Sequence, residues 1–435
     1  MSLFTIIRAI ASIAFMCISI VLLVGRFSGQ NKKTPLLAEP QQDDPPAQPV
    51  EIDIVGGGGG MKAILVTAGV LLLIHVANLK QQVIKVRRAG GASGSIIPLI
   101  IFCAGYTALE IARFLIEVPL SLFIDYRGQR KKNLWSVVWS DIKLLAGSVF
   151  AGKFGKVIIR PAKGVLGNEK MGAFIDQVVP AWPDSKQAGQ TDFWLITAEG
   201  STFNQLLRDK TGLYRRLAFN TEVTKLADNP GPTGLASQKC CSISGVFDER
   251  DGETDGSFTD SGRTPADVPQ VYYGVKPEEI VVSDVWDNPQ KHSWLSRLQL
   301  INFWKLMCGG VCPQSGQHPW EFEGTNLIQA ELENDRDKNL SDITLEFDAP
   351  AGKKVKVIMI GFSAGIPVLE KRGWLSGDSL ALAKTIEQSY REIEAGARSY
   401  DELWIYTKAL LIKHDLYAFK TRLSSSMFDS KPKAK

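Results

Sequence analysis

The chain is short of charge, of cysteine and of any common nucleotide or metal signature. Its 435 residues carry 50 Lys+Arg against 46 Asp+Glu, 22% charged in all, for a formal net charge of +4. That excess is too small for a protein that binds nucleic acid through a basic field, and no zinc-finger spacing or aromatic ribonucleoprotein pattern accompanies it. Six cysteines cannot staple a disulfide scaffold of this length. Cys17 and Cys103 lie in apolar runs as small hydrophobes. Cys240 and Cys241 are adjacent, and Cys308 and Cys312 enclose three residues, so neither pair has the spacing of a zinc knuckle, although His292 and His318 are near in sequence. No Walker loop, G-x-G-x-x-G fingerprint or H-E-x-x-H is present, which leaves nucleotide hydrolysis, dinucleotide redox chemistry and zincin proteolysis without support. No cofactor is implied. Wholesale disorder is also excluded, because 45% of the residues are hydrophobic.

What the chain does have is apolar length, concentrated before residue 126. Leu3 to Val24 is long enough to cross a hydrocarbon core and lacks a clear signal-peptide cleavage site, so 1–27 reads as a transmembrane anchor. Residues 28–60, with five prolines, the run Gly56 to Gly60 and a net charge of −3, read as a disordered acidic linker. Residues 61–79 form a second crossing candidate. The basic loop 80–95, with Lys80, Lys85, Arg87 and Arg88, then marks the cytoplasmic side. His75, near the end of that span, reads as a neutral hydrogen-bonded imidazole, with a proton-relay role as the rival.

Residues 96–125 are broken by Pro98, Gly105 and Pro119 and flanked by cations on both sides, which predicts a membrane hairpin in preference to a third transmembrane helix. Within them Glu110, Arg113 and Glu117 share one helical face and can neutralise one another. The segment 126–163 is basic and amphipathic. Arg127, Arg130, Lys131, Lys132 and Lys143, with Trp135 and Trp139 at headgroup level, predict attachment to anionic lipid.

Beyond 164 the texture changes. Asp192 to Thr197, Ser242 to Phe247, Val271 to Val275, Ile280 to Trp286, Ile343 to Phe347 and Val355 to Ile360 read as short strands, and His292 to Met307 as a helix. In 376–435 Gly396 stops one helix and Ser399-Tyr400-Asp401-Glu402 caps the next. The expected fold is therefore an α+β domain over 164–375, with N-terminal transmembrane helices and a C-terminal helical tail.

Three chemical candidates arise. Gly361-Phe362-Ser363-Ala364-Gly365 fits the G-x-S-x-G nucleophile elbow, with Asp401 or Asp378 as the acid and His414 as the base of a membrane-bound serine hydrolase. Asp251, Glu253 and Asp255 open like a calcium loop but lack the closing carboxylate at Gly262, so an exposed acidic loop over Asp228 to Asp267 is the simpler reading. The cysteine pairs are read as free thiols.

The layout of anchor, basic juxtamembrane segment, mixed domain and helical tail resembles the stomatin/prohibitin/flotillin superfamily. Asp287-Asn288-Pro289-Gln290-Lys291 before Trp294 and Leu295, and Val355 to Ile360 leading toward the helix 378–395, stand where that family has comparable elements. The resemblance implies an integral membrane scaffold with its soluble domain on the cytoplasmic side, binding protein partners and forming homo-oligomers, and it carries over no catalytic residue. A structural subunit of a larger envelope or secretion complex is the remaining alternative.

Overall fold

A computed structural model describes residues 49–80, 83–126, 166–179, 191–199, 221–225, 233–242, 247, 253–255, 267–286, 324–332 and 347–428. The elements, in order, are β1 (Val50–Gly56), α1 (Met61–Ala77), β2 (Ile84–Gly91), α2 (Ile96–Cys103), α3 (Ala108–Glu117), β3 (Asp125–Tyr126), β4 (Leu166–Gly167), α4 (Glu169–Val178), β5 (Asp192–Glu199), β6 (Thr221–Lys225), α5 (Thr233–Cys240), β7 (Glu253–Asp255), α6 (Asp267–Tyr273), β8 (Ile280–Trp286), β9 (Asn326–Glu331), α7 (Ala351–Lys371), α8 (Gly377–Gly396) and α9 (Tyr400–Lys413).

One sheet organises the molecule, with strand order β6-β5-β2-β1-β8-β9 and β7 also paired to β5. The β5-β2-β1-β8-β9 run is parallel, whereas β6 and β7 meet β5 antiparallel. This is an α/β fold, not the α+β arrangement expected, and its parallel strands begin at Val50, inside the stretch read as a linker. A parallel strand is covered on both faces and therefore reads as a continuous apolar run. Five of the seven residues of β1 are buried.

The transmembrane expectation for 61–79 is overturned. In α1, 16 of 17 residues are buried, the exception being His75, and the helix packs along α7. A β-carbon on Gly69 would strike Ile358 O of α7, and one on Gly361 would lie 2.5 Å from Val66 O of α1, so the two backbones approach at glycines. A helix apolar on every side is buried either in lipid or in a large core, and the sequence pattern is the same for both. The span 96–124 is likewise not a hairpin or a third crossing. It breaks into α2, a turn at Gly105 (φ 86°), α3 and a 3-10 turn at Leu120–Phe123. Among the described residues, no helix is long and apolar enough to cross a membrane, so the integral-membrane assignment loses these two elements. The proposed anchor 1–27 and the basic segment 127–163, including all seven lipid-contact residues, lie outside the described residues.

The cations of 80–88 do not flank a bilayer. A register shift between Ile52 and Asp53 steps the β1–β2 ladder past Arg87. Both arginines then reach Asp53, which is 0% exposed, with Arg87 Nε at 2.8 Å and Arg88 Nε at 2.9 Å. Lys85 pairs with Glu51 at 2.6 Å, and Lys80 pairs with Asp378 on α8. In α3, Arg113 and Glu117 pair as expected at 2.9 Å, whereas Glu110 turns to Arg422.

The strands β5 and β8 fall where the alternation placed them. Val271 to Val275 is instead the end of α6 and its following turn, and Val355 to Ile360 lies within α7. The tail folds as two helices, with Ser399 Oγ accepting from the Glu402 N–H at 3.2 Å. The Ile343 to Phe347 strand, apart from Phe347, and the His292 to Met307 helix lie outside the described residues.

Candidate active site

In a parallel sheet the ligand crevice opens beyond the carboxyl ends of the strands. Here β1 and β2 lie side by side, and each ends in a glycine-rich turn that leads directly into a helix. β1 runs into Gly56 to Gly60 and then α1; β2 runs into Gly91-Ala92-Ser93-Gly94-Ser95 and then α2. Ser93 has φ 58°, in the left-handed region that a serine seldom occupies. A serine held in a strained strand-turn-helix corner is the local geometry of a nucleophile elbow.

The corner is built by close approach. A β-carbon on Gly94 would collide with Gly60 O, and one on Gly91 with Gly56 O. Gly59 (φ 138°) and Gly60 (φ 58°) adopt backbone that side chains resist. The Ala92 N–H donates to Gly56 O at 3.2 Å, and Ser95 Oγ donates to Ala92 O at 2.8 Å, which locks the turn. The Gly57 N–H is committed to Ser283 O at 2.9 Å. Among the described residues the N–H groups of Gly58, Gly59, Gly60 and Gly94 make no backbone hydrogen bond at this corner. The N-termini of α1 and α2 converge on the same point and add their positive dipole ends.

An acid is brought to this corner by sheet pairing. Gly91, the last residue of β2, pairs with Leu195 of β5. Two residues further along β5, Thr197 pairs with Asp255 of β7 while the opposite edge of Thr197 is taken by Glu222 of β6. β7 therefore occupies the lane that β2 vacates at Ser93. The end of α5 ties the parts together. Cys240 Sγ contacts Gly91 O at 3.9 Å, Cys241 Sγ donates to Ser93 O at 3.2 Å, and Ser242 O accepts from the Asp255 N–H at 3.0 Å. Asp255 is buried. The Cys241 thiol is pushed well up by its hydrogen bond to Cys240, by burial and by the negative charges of Cys240 and Asp255.

Ser93 is 3% exposed and faces a cavity of ≈ 40 Å³. Its walls are apolar for the most part: Met61 and Ile64 from α1, Ile97 from α2, Phe123, Phe247 and Phe347. Phe247 and Phe347 meet edge to face at 6.5 Å between centroids. Asn168, just before α4, is the polar side chain in the wall besides Ser93 and Cys241.

The residues picked out by sequence pattern sit elsewhere. Ser363 is half-buried in the middle of α7, Asp401 is exposed in the first turn of α9, and His414 is half-buried at the end of α9. Among the described residues His414 Nε2 has no hydrogen-bond partner, so that nitrogen makes no hydrogen bond to Ser363. Asp378 pairs with Lys80. Of the calcium candidates, Glu253 and Asp255 lie in β7 and Asp251 lies outside the described residues; no group of three potential metal ligands occurs among the described residues. His75 is half-buried, and burial holds its imidazole below the usual range, in keeping with a neutral ring. The cysteines Cys308 and Cys312, with His292 and His318, lie outside the described residues.

The elbow at Ser93 was missed because its motif ends in serine where the common pattern ends in glycine. The available signal was the pairing of two glycine-rich turns, Gly56 to Gly60 and Gly90 to Gly94, each set between an apolar strand and an apolar helix. No family model matches the chain, and no curated sequence matches it. Among solved structures, a crystal structure of VipD from Legionella pneumophila is similar over 87% of this chain and 83% of its own, at 12% identity and a TM-score of 0.33. A likeness of that size fixes neither fold nor chemistry.

Proposed function

We propose that this protein is a serine acyl hydrolase in which Ser93 is the nucleophile and Asp255 the general base, acting on esters whose acyl portion is apolar. The observation that carries the reading is the left-handed backbone of Ser93 in a strand-turn-helix corner backed by the Gly56 to Gly60 run. Asp255 takes the hydroxyl proton as Ser93 Oγ attacks the ester carbonyl. The developing oxyanion is met by backbone N–H groups of the half-buried Gly58 and Gly59 and of the buried Gly94. Asp255 returns the proton to the departing alkoxide, and the same carboxylate then activates a water that releases the acid and regenerates Ser93. The apolar cavity wall favours a hydrocarbon acyl group. The scaffold reading drawn from segment order loses two of its membrane elements to the core.

The test is covalent labelling of the full chain with a fluorophosphonate, followed by peptide mapping. Ser93 is the expected adduct site. Ser93→Ala is expected to abolish labelling and ester turnover, and Asp255→Asn to slow both by about 100-fold or more. Label on Ser363, or no label on folded protein, would overturn the assignment.

A further inference from the structure

Asn168 is 2% exposed and precedes α4, where an asparagine side chain usually accepts from the helix's first N–H groups. It makes no such cap. Its Nδ2 donates instead to Gln238 O at 2.8 Å and to Ser242 Oγ at 3.3 Å. A backbone carbonyl can only accept, so the amide cannot be turned the other way round, and Ser242 Oγ spends its own proton on Gln238 O at 2.6 Å. Among the described residues Oδ1 is left buried with no hydrogen-bond partner, in a residue that lines the Ser93 cavity. A buried acceptor without a partner is costly to keep in an apolar wall, and an orphan of this kind calls for an explanation.

We infer that Asn168 Oδ1 accepts a hydrogen bond from the substrate, so that the preferred ester carries a hydroxyl or an amide N–H close to its scissile carbonyl. This rests on the hydrolase reading of Ser93 and adds a specificity-determining residue to it. The selectivity follows from the asymmetry of buried hydrogen bonds. A substrate without the donor leaves Oδ1 as it is and excludes whatever water could reach it, whereas one with the donor satisfies it. Phe123, Ile97 and Met61 in the same wall offer no competing polar partner. The donor can sit on the alcohol side, as in a glycol or glycerol monoester, or on the acyl side, as in a 3-hydroxy acid; the recognising chemistry is the same.

Two matched pairs of esters separate these sources and test the idea on the full-length protein: 2-hydroxyethyl against 2-methoxyethyl hexanoate, and ethyl 3-hydroxyhexanoate against ethyl 3-methoxyhexanoate. In one pair the hydroxyl ester is expected to be preferred in kcat/KM by roughly tenfold to a hundredfold. Asn168→Leu is expected to bring that ratio close to one while fluorophosphonate labelling of Ser93 persists. Equal rates within both pairs in the wild type would overturn the inference without any variant, and so would a preference that survives Asn168→Leu. Labelled Ser93 with no turnover of any of the four esters would reject the donor-bearing ester and leave the nucleophile standing. Absence of labelling would overturn both the nucleophile and the inference built on it.

Discussion

Two stretches of this chain carry nearly the same five letters, Gly91-Ala92-Ser93-Gly94-Ser95 and Gly361-Phe362-Ser363-Ala364-Gly365, and they fold in opposite ways. The first is a corner between β2 and α2 with Ser93 at φ 58°. The second lies inside the 21-residue helix α7. The glycines explain the difference. Gly91 and Gly94 bring the turn against the carbonyls of the Gly56 to Gly60 run, whereas Gly361 and Gly365 bring α7 against Val66 and Leu73 of α1. Small residues beside a serine therefore mark close backbone approach, and only the partner that approaches decides whether the serine is strained into a turn or carried along a helix.

Valine substitution at the two glycines should split the comparison most sharply. Gly361→Val drives a side chain into the α1 backbone and should cost about 3 kcal/mol of unfolding free energy, read as a lower urea midpoint, with the folded fraction still labelled at Ser93. Gly94→Val should instead suppress fluorophosphonate labelling through its collision with Gly60 O. Equal effects of the two on labelling would erase the distinction. Glycine substitution at the two serines should give smaller shifts of opposite sign. Ser93→Gly removes a left-handed side chain and should raise stability by about 1 kcal/mol while abolishing labelling. Ser363→Gly should lower it by about 0.5 kcal/mol and leave labelling intact, both read by thermal melting.

The smallest expected effect concerns acid and the tail, and it checks that the elbow is independent of the C-terminal segment. Burial raises the Glu110 carboxyl, but hydrogen bonds from Arg422 and from the backbone of Thr107 outweigh it and hold it at about 2 against an ordinary 4.5. A carboxylate depressed in the folded state stabilises above its unfolded value, and that contribution is lost as pH falls from 4.5 toward about 2. Glu110→Gln should flatten the melting temperature across that window and leave Ser93 labelling at neutral pH unchanged.

Much of the tail was legible because its signals are local. Gly396, Ser399 and Glu402 act within one turn of the helices they bound, and the alternation in Asp192 to Thr197 and Ile280 to Trp286 marks β5 and β8 directly. The first third was not legible, because an all-round apolar helix such as Met61–Ala77 satisfies the criteria for lipid and for a protein core equally. Deciding between them required α7, nearly 300 residues away, to supply the covering face. The site was illegible for a related reason. Gly56 to Gly60 and Ser93 are separated by an entire helix, and Asp255 enters through its pairing with Thr197 and its N–H bond to Ser242 O, so no single window of sequence contains the constellation. Asp255, read from its neighbours in sequence as part of an exposed acidic loop, is instead buried in β7.

The five consecutive glycines that cradle Ser93 set a limit on how stable this fold can become. Relative to alanine each surrenders about 0.5–1 kcal/mol of unfolded-chain freedom when ordered, or about 3–5 kcal/mol for the run. Helix α1, buried along nearly its whole length, is placed to offset that loss at the next residue. A β-carbon on Gly56 would strike Ser95 and one on Gly57 would strike Asp284, so a side chain that recovered the lost entropy would break the corner that holds Ser93.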